Sequence, residues 1–168
     1  MSNWKMLTLV GEDRPGIVAA VTAALFNCGW NLGEASMIRL GGSFTIMLMV
    51  SGEGDVTQAL EAVAGEMGLH LHVDDISGRL HQHKVPNIQV RVAGADRAGI
   101  VAQVAGVLAE AGFNILELES DVAGSEEHPL YIMHIQGYSD APLERLEEAV
   151  ASLGDIDASV SPIEMLIG

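Results

Sequence analysis

The sequence predicts an α+β chain built as two tandem copies of one β-α-β-β-α-β unit, each with helices on one face of an antiparallel sheet. An internal repeat, a hydrophobic period that switches in a fixed order between two and 3.6, and the turn residues between segments predict it. Gly11-Glu12-Asp13-Arg14-Pro15-Gly16-Ile17-Val18-Ala19-Ala20-Val21 aligns with Gly94-Ala95-Asp96-Arg97-Ala98-Gly99-Ile100-Val101-Ala102-Gln103-Val104, eight of eleven positions being identical. The same frame continues through Leu25/Leu108, Gly29/Gly112, Asn31/Asn114 and Glu34/Glu117. So many identities in one frame mark a duplication.

In the first copy Leu7 and Leu9, either side of Thr8, read as a strand, and Ile17, Val18, Val21, Leu25 and Cys28 then follow helical spacing up to Gly29. Residues 31–39 and 44–51 read as a hairpin around Gly41-Gly42-Ser43. A second helix carries Val56, Ala59, Leu60, Val63 and Met67 behind the capping residue Asp55, and residues 69–77 form the last strand. The second copy repeats the order. Ile88, Val90 and Val92 make a strand, and Ile100, Val101, Val104, Leu108 and Ala111 a helix. Residues 114–123 and 130–137 make a hairpin, Leu143, Leu146, Val150 and Leu153 a helix begun by Asp140-Ala141-Pro142, and residues 156–164 a strand. Gly124-Ser125-Glu126-Glu127-His128-Pro129 is longer than its counterpart and is expected to be a surface loop. This order is the ferredoxin-like plan. It divides the chain into a first domain at 1–79, a polar linker at 80–86 holding His81, His83 and Lys84, and a second domain at 87–168. The run Phe44–Val50 is apolar on both of its faces, so the helix-free face, around Met47, Met49 and Met133, is expected to pack on the partner repeat or on another chain.

Hydrophobic residues make up 49% of the chain, enough for compact cores. No apolar run approaches the roughly 20 residues that span a bilayer, and no signal-peptide pattern opens the chain, so a cytoplasmic protein without membrane association is expected. The single cysteine, Cys28, forms no intrachain disulfide and, from its place in the helical pattern, is expected to be a buried thiol. His70/His72 and His81/His83 have a spacing that places each pair on one face of a strand, but no further ligand completes a zinc set. No nucleotide-binding glycine motif stands at a strand-to-helix junction. Neither a metal nor a cofactor is expected.

The matched polar residues are the informative ones, because a core does not need them. Asp13/Asp96 and Arg14/Arg97 lie at the strand-to-helix turns with Gly16/Gly99, and Asn31/Asn114 begin the next strands. Free backbone N–H groups at a helix start suit a carboxylate, and an Asp beside them suits an ammonium, so together they suit an amino-acid zwitterion. Each Asn, taken to lie near the same end of the sheet, adds a donor and an acceptor, and the glycines leave room for close backbone approach. A second reading is open at this point: the aspartates are helix caps or Asx-turn residues, the asparagines close turns, and the arginines pair with surface carboxylates.

Asp13-Arg14-Pro15-Gly16-Ile17-Val18 with Cys28-Gly29-Trp30-Asn31-Leu32 resembles the ACT-domain signature, and both repeats, hence nearly the whole chain, are covered. The resemblance implies amino-acid binding through the turn before the first helix and the Asn of the second strand: Asp13 and Asn31 in one copy, Asp96 and Asn114 in the other. The chain departs from the family pattern at Gly11 and Gly94, where some members have His, at Asp13 and Asp96, where some have Asn, and at Ala98, where the motif has Pro. The stand-alone tandem arrangement, with Gly41-Gly42-Ser43-Phe44-Thr45 and Met47-Leu48-Met49-Val50-Ser51-Gly52, is similar to a narrower group that lacks a DNA-reading motif and acts through a partner regulator. The reading is therefore a non-enzymatic, homo-oligomeric regulator that binds a small amino acid such as glycine and signals to a protein partner such as a transcriptional regulator. Its rivals are a regulatory subunit of a biosynthetic enzyme and a structural dimerisation module without ligand.

With 23 acidic against 8 basic side chains, the formal charge of −15 repels a phosphate backbone. Fluorescence anisotropy at low salt is expected to give no sub-micromolar affinity of the pure protein for DNA; such binding without a partner would overturn this reading.

Overall fold

A computed structural model of the chain describes residues 3–77, 84–95 and 99–164. The chain divides into two compact units, Met1–Gln82 and His83–Gly168. In the first, β1 (Trp4–Glu12), α1 (Ile17–Asn27), β2 (Asn31–Leu40), β3 (Ser43–Ser51), α2 (Val56–Met67) and β4 (His70–Ile76) follow the expected order. The second repeats it with β5 (Ile88–Ala95), α3 (Ile100–Glu110), β6 (Asn114–Ser125), β7 (His128–Tyr138), α4 (Leu143–Ala151) and β8 (Asp157–Pro162). The sheets run β2-β3-β1-β4 and β6-β7-β5-β8, and every neighbouring pair is antiparallel. Each unit is thus an α+β βαββαβ fold.

The two central strands carry the core of each unit. Leu7 and Leu9 of β1 and Phe44, Ile46, Leu48 and Val50 of β3 point the same way and meet Ile17, Val21 and Leu25 of α1 and Val56 and Leu60 of α2. Leu7, Leu9, Val21, Leu25 and Leu60 are wholly enclosed, and each such side chain stabilises the fold by about 1.5–3 kcal/mol. In the second unit Val90, Val92, Met133 and Ile135 meet Ile100, Val104 and Leu108 of α3 and Leu146 and Val150 of α4. Asp55 caps α2 as expected, its carboxylate accepting from the Thr57 backbone N–H at 2.9 Å. At α4 the cap position is Pro142, and no side chain closes that helix end.

Several expectations are corrected. Cys28 is exposed. It stands at the C-cap, where the chain leaves α1, and the side chain that closes that end of the core is Trp30, 4% exposed. Met133 does not belong with Met47 and Met49. It pairs with Val92, faces the helices and is 1% exposed, because side chains alternate along a strand and an odd step changes the face. Met47 and Met49 do point away from the helices, Met47 being 44% exposed and Met49 buried. The extra residues of the second hairpin form no loop. They extend the ladder through Gly124↔Pro129 and Ser125↔His128, leaving Glu126-Glu127 as the turn. Both β2 and β6 carry an irregular step near their start, between Leu32 and Ala35 and between Ile115 and Glu117, which the hydrophobic pattern did not reveal. His81 and His83 lie outside the described residues, among which no group of three or more His, Cys, Asp or Glu is arranged to hold a metal. No described helix is long and apolar enough to cross a membrane.

Gly137 shows how tightly the aromatic that follows the helix is seated. A Cβ there would lie 2.3 Å from the Asn114 carbonyl oxygen and 2.5 Å from Cζ of Phe113, and neither a ladder carbonyl nor a buried ring yields easily. Overpacking of this kind costs about 1–3 kcal/mol. Gly137→Ala is therefore expected to lower Tm in a thermal melt, and an unchanged Tm would show that the ring has somewhere to go.

Candidate functional site

The turn from β1 into α1 is held by its backbone rather than by a side-chain cap. The residue before α1 is Gly16, at φ 89° with no capping hydrogen bond, and Gly99 occupies the same place before α3 at φ 87°. Asp13 is therefore not the helix cap. The glycines are required by the left-handed backbone and not by a close approach: a Cβ on Gly16 would meet only Met67 Cε, at 3.9 Å, and one on Gly99 nothing within 4 Å. The same turn is tied to the β2–β3 hairpin, the Asp13 N–H donating to the Gly42 carbonyl at 3.0 Å.

This tie brings Asp13 to the end of β2. Arg39 donates from Nη1 to Asp13 Oδ2 at 3.3 Å, the side chains being 66% and 32% exposed. Arg14 reaches the other way, its Nη2 donating to the Glu66 carbonyl at 3.3 Å. That carbonyl is in the last turn of α2, where backbone acceptors lack helical partners and a cation is favourable. Asp13, Arg14, Gly16, Val18, Met37, Arg39 and Phe44 line an open pocket of about 340 Å³. The Asp13 carboxylate and the Arg39 guanidinium, paired with each other, thus stand at a concave surface that Ile17, Val18, Met37 and Phe44 also line.

Asn31 is not part of it. Both β1 and β2 run antiparallel to β3, so they are parallel to each other, and α1 carries the chain back to the end of the sheet where β1 began. Asn31 is level with Ser51 and, across β3, with Trp4, whereas Asp13 follows Glu12. The eight residue steps from Trp4 to Glu12 separate them by roughly 27 Å at about 3.4 Å per residue. Asn114 likewise pairs with Tyr138, next to the rung Ile88↔Gly137 at the start of β5. Within a unit, the expectation that Asp and Asn share one end of the sheet is wrong. Asp96 and Arg97 lie outside the described residues. Arg39 escaped the sequence reading because the duplication does not repeat it, Val122 standing at its place. Its signal was the strand order: the end of β2 must lie beside the turn that follows β1.

The Asp13–Arg39 pair is too exposed to be a large source of stability, since such pairs contribute about 0.2–1 kcal/mol. A double-mutant cycle over Asp13→Ala and Arg39→Ala, read by denaturant unfolding of the ligand-free protein, is expected to give a coupling inside that range. A coupling above about 2 kcal/mol would make the pair a structural clamp.

Comparison with known proteins agrees with this architecture. Residues 6–74 and 88–154 each match the ACT domain family. The glycine cleavage system transcriptional repressor of Escherichia coli (strain K12) is 26% identical over 144 residues, covering 83% of this chain and 76% of the repressor. The crystal structure of an unknown protein from Galdieria sulphuraria superposes with a TM-score of 0.77 at 25% identity, over 98% of this chain and all of that one. A candidate glycine cleavage system transcriptional repressor of known structure, 21% identical, superposes with a TM-score of 0.72 over 98% and 99% of the two chains and shows the same fold. The chain belongs to the ACT domain family as two tandem ACT domains, and it is a relative of the glycine cleavage system transcriptional repressor.

Proposed function

We propose that the protein is a non-enzymatic cytoplasmic regulator, a glycine cleavage system transcriptional repressor, that binds a small amino acid such as glycine in the first unit and passes its state to a protein partner. The pocket edged by Asp13, Arg14 and Arg39 is the observation that carries this reading. A zwitterion entering between Asp13 and Arg39 replaces one loose, exposed ion pair by two, its ammonium on the carboxylate and its carboxylate on the guanidinium. The pair that is given up is of the weak, solvent-screened kind. Near this pocket the backbone N–H groups at the start of α1 add a field that favours the same carboxylate. The chemistry is recognition: the pocket offers charges of both signs among apolar side chains, which orient a small zwitterion without attacking it.

The name of the Escherichia coli relative supports transcriptional repression as the output. The charge of −15 makes a protein such as a transcriptional regulator, and not DNA, the receiver of the signal. Self-association fits the edge strand β2, where Ile38 and Leu40 are 63% and 76% exposed.

A thermal-shift screen of the full chain against the twenty common amino acids tests the reading. A ligand that binds only the folded state stabilises it by roughly 2.7 kcal/mol at 100 times its dissociation constant. The expected result is a shift with a small amino acid that Asp13→Ala abolishes. No shift with any amino acid would favour a structural module without ligand, and a shift unaffected by Asp13→Ala would move the site elsewhere.

A further inference from the structure

We infer that the chain takes one amino acid and not two, because Arg39, which the duplication does not repeat, decides which unit binds. The inference rests on the amino-acid reading of the Asp13–Arg39 pocket. The register makes the two units comparable rung by rung. Gly11 pairs with Phe44 and Phe44 with Arg39; in the second unit the repeat-equivalent Gly94 pairs with Tyr131 and Tyr131 with Val122. Val122 therefore occupies the position of Arg39, and two rungs further on, on the same face, Ser120, opposite Met133, occupies that of Met37, opposite Ile46.

Nothing else on that strand makes up the lost cation. Residues 114–125 contain Glu117, Glu119 and Asp121 and no Lys or Arg, whereas residues 31–40 contain one acid, Glu34, and Arg39. The other described cations of the second unit are engaged elsewhere or lie away from the turn. Lys84 sits over the Tyr138 ring, Arg145 donates to the Glu110 carbonyl, and Arg91 is level with His134 and Ser159 in mid-sheet. A carboxylate approaching that end of the second sheet thus meets the neutral Val122 and Ser120 where the first unit offers a guanidinium, because Glu119 and Asp121 alternate onto the opposite face.

The hairpins add a second difference. In the first unit the last rung of β1, Glu12↔Ser43, is also the end of the hairpin, and Gly42 accepts from the Asp13 N–H. In the second, β6 and β7 continue past the last rung of β5, Ala95↔Leu130, by two further rungs, Gly124↔Pro129 and Ser125↔His128, and the turn Glu126-Glu127 beyond them. The hairpin turn is accordingly carried away from the end of β5. In the first unit it borders the pocket directly.

Isothermal titration of the full chain with each of the twenty common amino acids, with amide shifts followed by two-dimensional NMR, tests the inference. An amino acid that binds is expected at one equivalent per chain, moving the amides of residues 13–19 and 39–44 and leaving those of 99–103 in place. Arg39→Val is expected to fold as the wild type does, with at most a small loss of Tm, and to weaken binding by at least about tenfold, the usual effect of losing a charge-assisted hydrogen bond. Arg39→Lys restores part of the affinity, and Val122→Ala changes nothing. Two equivalents per chain in the wild type, or one equivalent whose affinity survives Arg39→Val, overturns the inference while leaving amino-acid binding intact. No heat with any amino acid overturns the ligand reading and this inference with it.

Discussion

Everything in each unit depends on the strand order: two outer strands, β2 and β4, flank a central antiparallel pair, β3 and β1. Because β2 and β1 both oppose β3, they are parallel, and a parallel connection needs a crossover that returns the chain to its starting end. That crossover is α1. Its inward stripe, Ile17, Val21 and Leu25, has to fall on the side chains of β1 and β3 that point the same way, which are Leu7, Leu9, Phe44, Ile46, Leu48 and Val50. The core, the parity of every strand and the ends at which turns gather follow from this one geometric requirement.

The same requirement determines which residues can meet. The turn after β1 and the hairpin between β2 and β3 are brought to one end, and the Asp13 N–H to Gly42 carbonyl bond joins them. Residues that start β2 are sent to the other end, as Asn31 and Asn114 are. A pocket at the first end can therefore draw on the last residues of β2, and Arg39 is such a residue. Arg14 sends its guanidinium away to the last turn of α2, where a cation is favourable, although the residue also lines the pocket.

How much of this was legible depends on whether it was written in periodicity or in pairing. The repeat, the order of the elements, the helix stripes and the Asp55 cap could be read from spacing, because each is a local pattern with a physical period. Cys28 looked buried because it kept the helical spacing, but the helix had already ended and Trp30 filled the place. The face of Met133 cannot be told from the pattern without the register, which pairs it with Val92 toward the helices. Parity cannot be carried from one hairpin to another when the turn between the strands has changed length. The expected nearness of Asn31 to Asp13 does not hold for a related reason: nearness in the sequence says nothing about which end of a sheet a residue occupies once a helix intervenes. Of the candidate site, Asp13, Arg14 and Gly16 were legible from the repeat, and the structure brings them together; Arg39 was not, since matching the two copies selects what they share.

That selection hides the feature in which the units differ. Duplication supplies two equal scaffolds, and the helix-start glycines, the core stripes and the strand order have remained the same in both, because changing any of them disturbs a whole unit. The last residues of β2 and β6 are freer, since they lie on edge strands and contribute nothing to the fully buried core. At this position one unit holds a guanidinium beside Asp13 and the other a valine opposite a tyrosine, so side-chain charge diverges where the fold tolerates divergence. Because the fold is held by the stripes and strand order that both units share, the ends of the edge strands are where two duplicated units are free to differ in charge.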